Sequence, residues 1–184
     1  MKNSAKGVPA VALKILMAVG IAVLLCGRAN AQGAGNAQGP ANAQGLVMQR
    51  NLSLAMAKTV AEAMLAACQA KGYHTAVAVV DRAGQVLVIL RDEQATAQHA
   101  EMARRKAYTA RMFRTTTTTE FQKRTADPPY AAQRDLPDIL ALGGGAPIQV
   151  GNETVGGVGS AGSTLEQDDA CAKVGIAKAA DLLK

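Results

Sequence analysis

The stretch from Ile139 to Gly159 constrains this chain most, because it mixes glycine with strand-forming residues throughout. Ile139-Leu140-Ala141-Leu142 runs into Gly143-Gly144-Gly145, and Pro147-Ile148-Gln149-Val150 follows. Gly151-Asn152 supplies a tight turn, and Glu153 to Gly159 returns. A helix interior containing glycine loses about 1 kcal/mol per residue, so so many glycines argue against a helix here. Short apolar runs joined by a two-residue turn pair as antiparallel neighbours. The glycines of 143–145 and 156–159 fall between strands, not between a strand and a helix. They therefore do not form the phosphate-binding turn of a dinucleotide fold.

Upstream, Ser53 is placed to cap a helix running to Lys71. Leu54, Ala57, Val60, Ala61, Met64 and Cys68 recur there at helical spacing and define a buried face. Gly72 ends the helix. Thr75 to Val80, the turn Asp81-Arg82-Ala83-Gly84 and Gln85 to Arg91 read as a β-hairpin. A second helix is expected from Ala97 to Phe113, with a stripe of mainly small residues at Met102, Ala103, Ala107, Ala110 and Phe113. Such a stripe allows close packing to a sheet or to another chain. Five β-branched residues, Thr115 to Thr119, break the helix, and Glu120 to Arg124 restarts a short one. Pro128, Pro129 and Pro137 mark an irregular stretch, and a last helix covers about Leu165 to Leu183. The order α-β-β-α-(loop)-β-β-β-α predicts an α+β domain with a five-stranded antiparallel sheet flanked by helices.

Residues 1–31 read as a secretory signal peptide. Lys2, Lys6 and Lys14 precede or open the apolar run Ile15 to Cys26, which is too short to span a bilayer. Ala29-Asn30-Ala31 is a cleavage site, so Gln32 begins the expected mature chain, periplasmic or secreted and without a membrane span. Residues 32–45 repeat Asn-Ala-Gln-Gly and read as a flexible linker, leaving 46–184 as the folded domain. The net charge is +6, but Lys2, Lys6, Lys14 and Arg28 all lie in the acid-free signal segment. Without them, 16 basic residues face 14 acidic ones, too near neutrality for a strong polyanion binder. Aromatics are 3% of the chain with no Trp, which argues against base stacking, so no nucleic-acid partner is expected. In an oxidising compartment Cys68 and Cys171 could pair, although burial as two free thiols is the simpler reading of their apolar neighbourhoods.

No GxSxG, CxxC or HExxH pattern is present. His74, at a helix-to-strand junction, reads as structural. His99 opens the second helix near Glu101 and either ligates a metal or caps the turn. Asp168 and Asp169 suit the start of the last helix, where the dipole favours negative charge. A cation site joining them with Glu166 is the alternative. Gly143, Gly144 and Gly145 form either a strand bend or the close approach of a flat ligand or another chain to bare backbone. Arg104, Arg105, Lys106, Arg111 and Arg114 form either a solvated helix face or a seat for carboxylates.

Several ordered stretches resemble the GlcG/HbpS family of small haem-binding proteins, also found as the C-terminal domain of PduO-type proteins. They are Val77-Ala78-Val79-Val80-Asp81-Arg82-Ala83-Gly84, Arg91-Asp92, Ala103-Arg104-Arg105-Lys106-Ala107-Tyr108-Thr109-Ala110, Gly143-Gly144-Gly145-Ala146-Pro147-Ile148, Val155-Gly156-Gly157-Val158-Gly159-Ser160-Ala161-Gly162 and Asp168-Asp169-Ala170-Cys171-Ala172. The resemblance implies an antiparallel sheet flanked by helices, homo-oligomers that are often octamers, haem as cofactor, and a sensing partner in one branch. In the secreted branch it implies an axial Thr shortly after the KA-x-TA helix, here Lys106 to Ala110. The candidates are Thr116, Thr117 and Thr118, in a run that replaces the family's Pro-Thr or Pro-Ser. Thr117 and His99 are thus the candidate iron ligands, His99 because other members use a histidine. Arg104, Arg105, Lys106 and Arg111 would meet the propionates, and Gly143 to Gly145 would wall the pocket. Glu93-Gln94 replaces the family's Asp-Gly and alters the expected pocket rim.

The resulting expectation is a secreted or periplasmic haem-binding carrier, buffer or sensor accessory, with a sensor or transport partner. The alternative is an enzyme acting on a small organic acid or aromatic compound, or one degrading haem. Its acid–base groups would be Lys106, Tyr108, Asp81 and Glu120, which show no recognisable pairing in the sequence.

Overall fold

Helix α1, Leu54–Gln69, starts where Ser53 can cap it: the Ser53 hydroxyl accepts the Met56 N–H at 3.1 Å. The computed structural model describes residues 45–114 and 116–184. The expected signal peptide and its cleavage site, nearly all of the expected linker, and Thr115 lie outside the described residues. The chain divides into two units, Met1–Leu46 and Val47–Lys184, and the architecture below is that of the second.

The next elements are β1 (Ala76–Val80), β2 (Val86–Arg91), α2 (Ala97–Met112), α3 (Thr118–Arg124) and a 3-10 segment (Pro128–Asp135). Then follow β3 (Gly145–Val150), β4 (Glu153–Ala161) and α4 (Leu165–Leu182). The strands form one antiparallel sheet in the order β2-β1-β4-β3. On one face Val77, Val79, Val88, Ile148 and Val158 pack with Val60 and Met64 of α1 and Ala172 of α4. On the other, Ala76, Ala78, Val80 and Ala161 pack against Ala103 and Ala107 of α2.

The small-residue stripe of α2 therefore meets the sheet. A Cβ on Gly157 would collide with the Ala107 carbonyl, and one on Gly159 with the Ala103 carbonyl. Two glycines on β4 and alanines on α2 thus let backbone approach backbone. This is an α+β fold with an antiparallel sheet flanked by helices, as expected, but with four strands and not five.

The missing strand is Ile139–Leu142. Its polar backbone bonds to α2, not to a neighbouring strand. Arg105 donates to the Ile139 carbonyl at 2.5 Å, and the Leu140 N–H donates to Thr109 Oγ1 at 2.8 Å. Asp138 just before it has a left-handed backbone, φ 64°. The apolar side chains are strand-like, but side-chain partners on α2 take up groups a sheet ladder would otherwise need.

Cys68 of α1 and Cys171 of α4 form a disulfide, with Cα atoms 5.7 Å apart. The free-thiol expectation is thereby corrected. α1 and α4 lie together on one face of the sheet, so two cysteines 103 residues apart in sequence become neighbours. Among the described residues, no helix is long and apolar enough to cross a membrane.

Candidate functional site

Lys106 sits on the face of α2 turned into the protein, and its side chain is fully buried. Its ammonium donates to the Ser160 carbonyl and to Asp168 Oδ2, both at 2.8 Å. The second Asp168 oxygen accepts from the Ser163 hydroxyl at 2.7 Å. Burial pushes the Lys106 ammonium below the ordinary lysine range, against the pull of Asp168 and Asp169. A Cβ on Gly144 would lie 2.7 Å from both Asp168 Cβ and the Ser160 carbonyl, and 2.9 Å from Lys106 Nζ. Glycine at 144 therefore makes room for the pair, and Lys106 is not offered to a ligand.

The other basic residues of α2 divide. Arg104 grips both oxygens of Glu101 at 2.7–2.8 Å and Asp138 at 2.6 Å. Arg105 holds the Ile139 carbonyl, and its Nε is buried without a partner. Arg111 faces a cavity of about 620 Å³, which it shares with Arg82 and Arg114.

The triple glycine is covered by this chain itself. The Gly143, Gly144 and Gly145 N–H groups donate to Gln122 Oε1, Asp169 Oδ1 and Thr118 Oγ1, at 3.2, 2.5 and 2.7 Å. All three residues are buried. Of the sequence alternatives, the observed one is a bend leading into β3, closely approached by α2, α3 and α4. Asp169 also accepts from Thr119. Asp168 and Asp169 are thus structural acceptors, beyond any dipole effect. Among the described residues, no group of three or more His, Cys, Asp or Glu could hold a metal ion.

His99 caps the turn. Its Nδ1 accepts the Thr96 N–H at 3.3 Å, while the Thr96 hydroxyl accepts the His99 N–H at 3.2 Å. His74 pairs with Asp92 at 2.9 Å, in keeping with its structural reading. The four candidate acid–base residues do four separate jobs. Lys106 meets Asp168, Tyr108 packs beneath Gly84, Asp81 accepts turn N–H groups, and Glu120 caps α3.

The threonines also separate. Thr116 donates to Glu120 at 3.1 Å. Thr117 caps α3: its Oγ1 accepts the Glu120 N–H at 3.2 Å, and its own N–H donates to Glu120 at 2.9 Å. Thr118 is fully buried under Gly145. Of these three, Thr117 lines a surface hollow of about 270 Å³, with Gly145, Lys123 and Lys173. A second hollow of about 420 Å³ shares Thr119, Lys123 and Asp169 with it and extends to Arg134 and Leu165. The two form a groove between α3 and α4.

Sequence reasoning missed Thr119, Lys123 and Lys173 in the groove, and Arg82 in the separate cavity. Lys123 carries no same-face signal, because six residues from the Thr117 cap is not a helical i, i+3, i+4 or i+7 spacing. Lys173 carries no such signal, because it comes from α4.

The chain matches the family model described as haem degrading protein HbpS-like over residues 52–177. It is similar to HbpS, whose crystal structure it matches with a TM-score of 0.70 and 38% identity, covering 74% of this chain and 96% of that one. It is also similar to PduOC in a structure of a PduOC:heme complex, with a TM-score of 0.62 and 25% identity, covering 69% of this chain and 94% of that one. A Citrobacter freundii relative, an uncharacterized 15.0 kDa protein in the dhaT-dhaS intergenic region, is 30% identical over 68% of this chain and 89% of that protein.

Proposed function

This chain belongs to the HbpS-like family, and from that premise we propose that it binds haem as a secreted or periplasmic carrier, buffer or sensor accessory. The observation that carries the reading is the groove between α3 and α4. There Thr117 and Gly145, singled out by two different stretches of sequence, line one hollow with Lys123 and Lys173. Both lysines are exposed, and neither forms an ion pair among the described residues.

The residues present fit an iron porphyrin. Its two carboxylates need cations, which Lys123 and Lys173 offer; the lining carboxylates Glu120 and Asp169 are taken up by the α3 cap and by the Gly144 N–H. The wall at Gly145, Ala146 and Ala172 carries no long side chain that would obstruct a flat ring. The Thr117 hydroxyl, which accepts the Glu120 N–H and donates to the Glu120 carboxylate, would be the neutral oxygen donor in this hollow. When bound, haem would supply a redox-active iron. In this reading Thr117 is a weak ligand, the lysines hold the carboxylates, and His99 takes no part.

The Cys68–Cys171 disulfide supports an oxidising compartment, since such bonds persist outside the reducing cytosol. The family resemblance supports assembly of copies into a homo-oligomer, up to an octamer. A sensor or transport partner would then receive the haem. Haem degradation is the second reading, favoured by the family description. Loss of the Soret band under dioxygen with a reductant would separate it from simple storage.

The test is a haemin titration followed by absorbance. Saturation at one haem per chain supports the reading, and a linear, unsaturable rise overturns it.

A further inference from the structure

We infer that the cavity between the β1–β2 turn, the C-terminal end of α2 and the β3–β4 turn is a second ligand site, which takes a small organic or inorganic oxyanion of two or more charges. Three guanidinium groups converge there: Arg82 from the first turn, and Arg111 and Arg114 from the end of α2. The cavity measures about 620 Å³, a size that holds a small molecule and its water.

Charge is unbalanced in this cavity. Its lining carboxylate is Glu153, which pairs with Arg50 at 2.9 Å and reaches Arg82 only at 3.6 Å. Neighbouring Asp81 accepts from the Ala83 and Gln85 N–H groups within its own turn. Among the described residues, Arg111 and Arg114 form no ion pair. Arg111 Nε is buried with no acceptor. Burial first, then Arg114 and Arg82, weaken the hold of Arg111 on its proton, with Asp81 pulling the other way.

The site is also built, not accidental. Arg114 has a left-handed backbone, φ 60°, which is uncommon for a residue other than glycine. Its carbonyl accepts from Thr154 Oγ1 at 2.9 Å and Gln149 Nε2 at 3.2 Å, so both strands of the β3–β4 hairpin fix it there. Gly157 lets the backbone of Arg111 come within 3.1 Å of where a Cβ would stand, seating α2 against β4. The negative end of the α2 dipole, roughly half a charge, is outweighed by three full positive charges. Guanidinium forks match carboxylate and phosphate oxygens in pairs, so the ligand class is a di- or tricarboxylate or a phosphate compound.

Isothermal titration of the purified chain with citrate, and separately with inorganic pyrophosphate, tests the inference at constant chloride ionic strength. Saturable binding of at least one is expected, and the tighter arm identifies the group recognised. Arg111→Gln should weaken it roughly ten- to a hundredfold, the loss of a charged hydrogen bond. Arg114→Gln, at an exposed position where misfolding is not at issue, should weaken it similarly. Absence of saturable heat with both probes overturns the inference, as does wild-type affinity in both variants. Haemin binding should be unchanged in Arg114→Gln. If haemin binding falls instead, the cavity belongs to the haem site and is not a second one.

Discussion

Replacing Asp168 with asparagine leaves the buried Lys106 ammonium facing an uncharged amide. In the wild type the two meet at 2.8 Å with essentially no solvent access. Breaking a buried ion pair from one side costs about 3–5 kcal/mol, a large part of the 5–15 kcal/mol that holds a typical domain. Lys106 has one escape, which is to lose its proton. From an ordinary lysine pKa near 10.4 that costs about 4.6 kcal/mol at pH 7, since 3.4 units weigh about 1.36 kcal/mol each. The two routes cost nearly the same, so about 3–5 kcal/mol is expected for Asp168→Asn at pH 7. The sign of its pH dependence follows. A lysine whose folded pKa is depressed binds fewer protons folded than unfolded, so stability rises with pH up to the unfolded value. Wild-type Lys106 is depressed as well, but without the pull of Asp168 the variant's ammonium is depressed further, so the deficit should shrink between pH 7 and about pH 10. Urea unfolding at both ends of that window measures it. The double variant Lys106→Met with Asp168→Leu, which leaves no buried charge, should cost less than Asp168→Asn alone. A loss below about 1 kcal/mol at pH 7, or a deficit that does not move with pH, would refute the reasoning.

Three further outcomes are expected. Cys68→Ala with Cys171→Ala should lower unfolding free energy by about 2–5 kcal/mol in a denaturant titration, because the disulfide closes a loop of about a hundred residues. Gly159→Ala should destabilise by roughly 3 kcal/mol or more, or prevent folding, because the new methyl meets the Ala103 carbonyl and not a side chain that could move. Asp92 is held below the ordinary carboxyl range, first by the Gln69 hydrogen bond and then by the Gln94 N–H and His74. Its contribution is complete above about pH 4 and is lost as pH falls further, so melting temperatures of wild type and Asp92→Asn should converge in acid.

Local structure was legible wherever one residue acts on its own neighbours. Ser53 caps α1, the Asp81–Gly84 turn joins a hairpin, and the threonine run ends α2 before α3 begins. Each depends on chemistry within a few residues. The misread elements depend on partners distant in sequence. Ile139–Leu142 looks like a strand until Arg105 and Thr109 take its backbone groups. Cys68 and Cys171 look like separate apolar thiols until α1 and α4 lie together. Lys106 reads as one more cation on a basic helix, because nothing local reveals that Asp168 faces it. The candidate groove shows the same division. Thr117 is a candidate only through the family resemblance, whereas Lys173 reaches the hollow from α4, 56 residues farther along the chain.

Haem binding in the α3–α4 groove is tested most directly by parallel haemin titrations of wild type, Thr117→Ala, the pair Lys123→Gln with Lys173→Gln, and His99→Ala. Wild type and His99→Ala should saturate at one haem per chain with the same Soret band. Thr117→Ala should shift that band, and the lysine pair should bind at least tenfold more weakly, as expected when charged hydrogen bonds to the propionates are lost. Unsaturable binding in wild type, or saturable binding lost in His99→Ala while the groove variants behave as wild type, would contradict it.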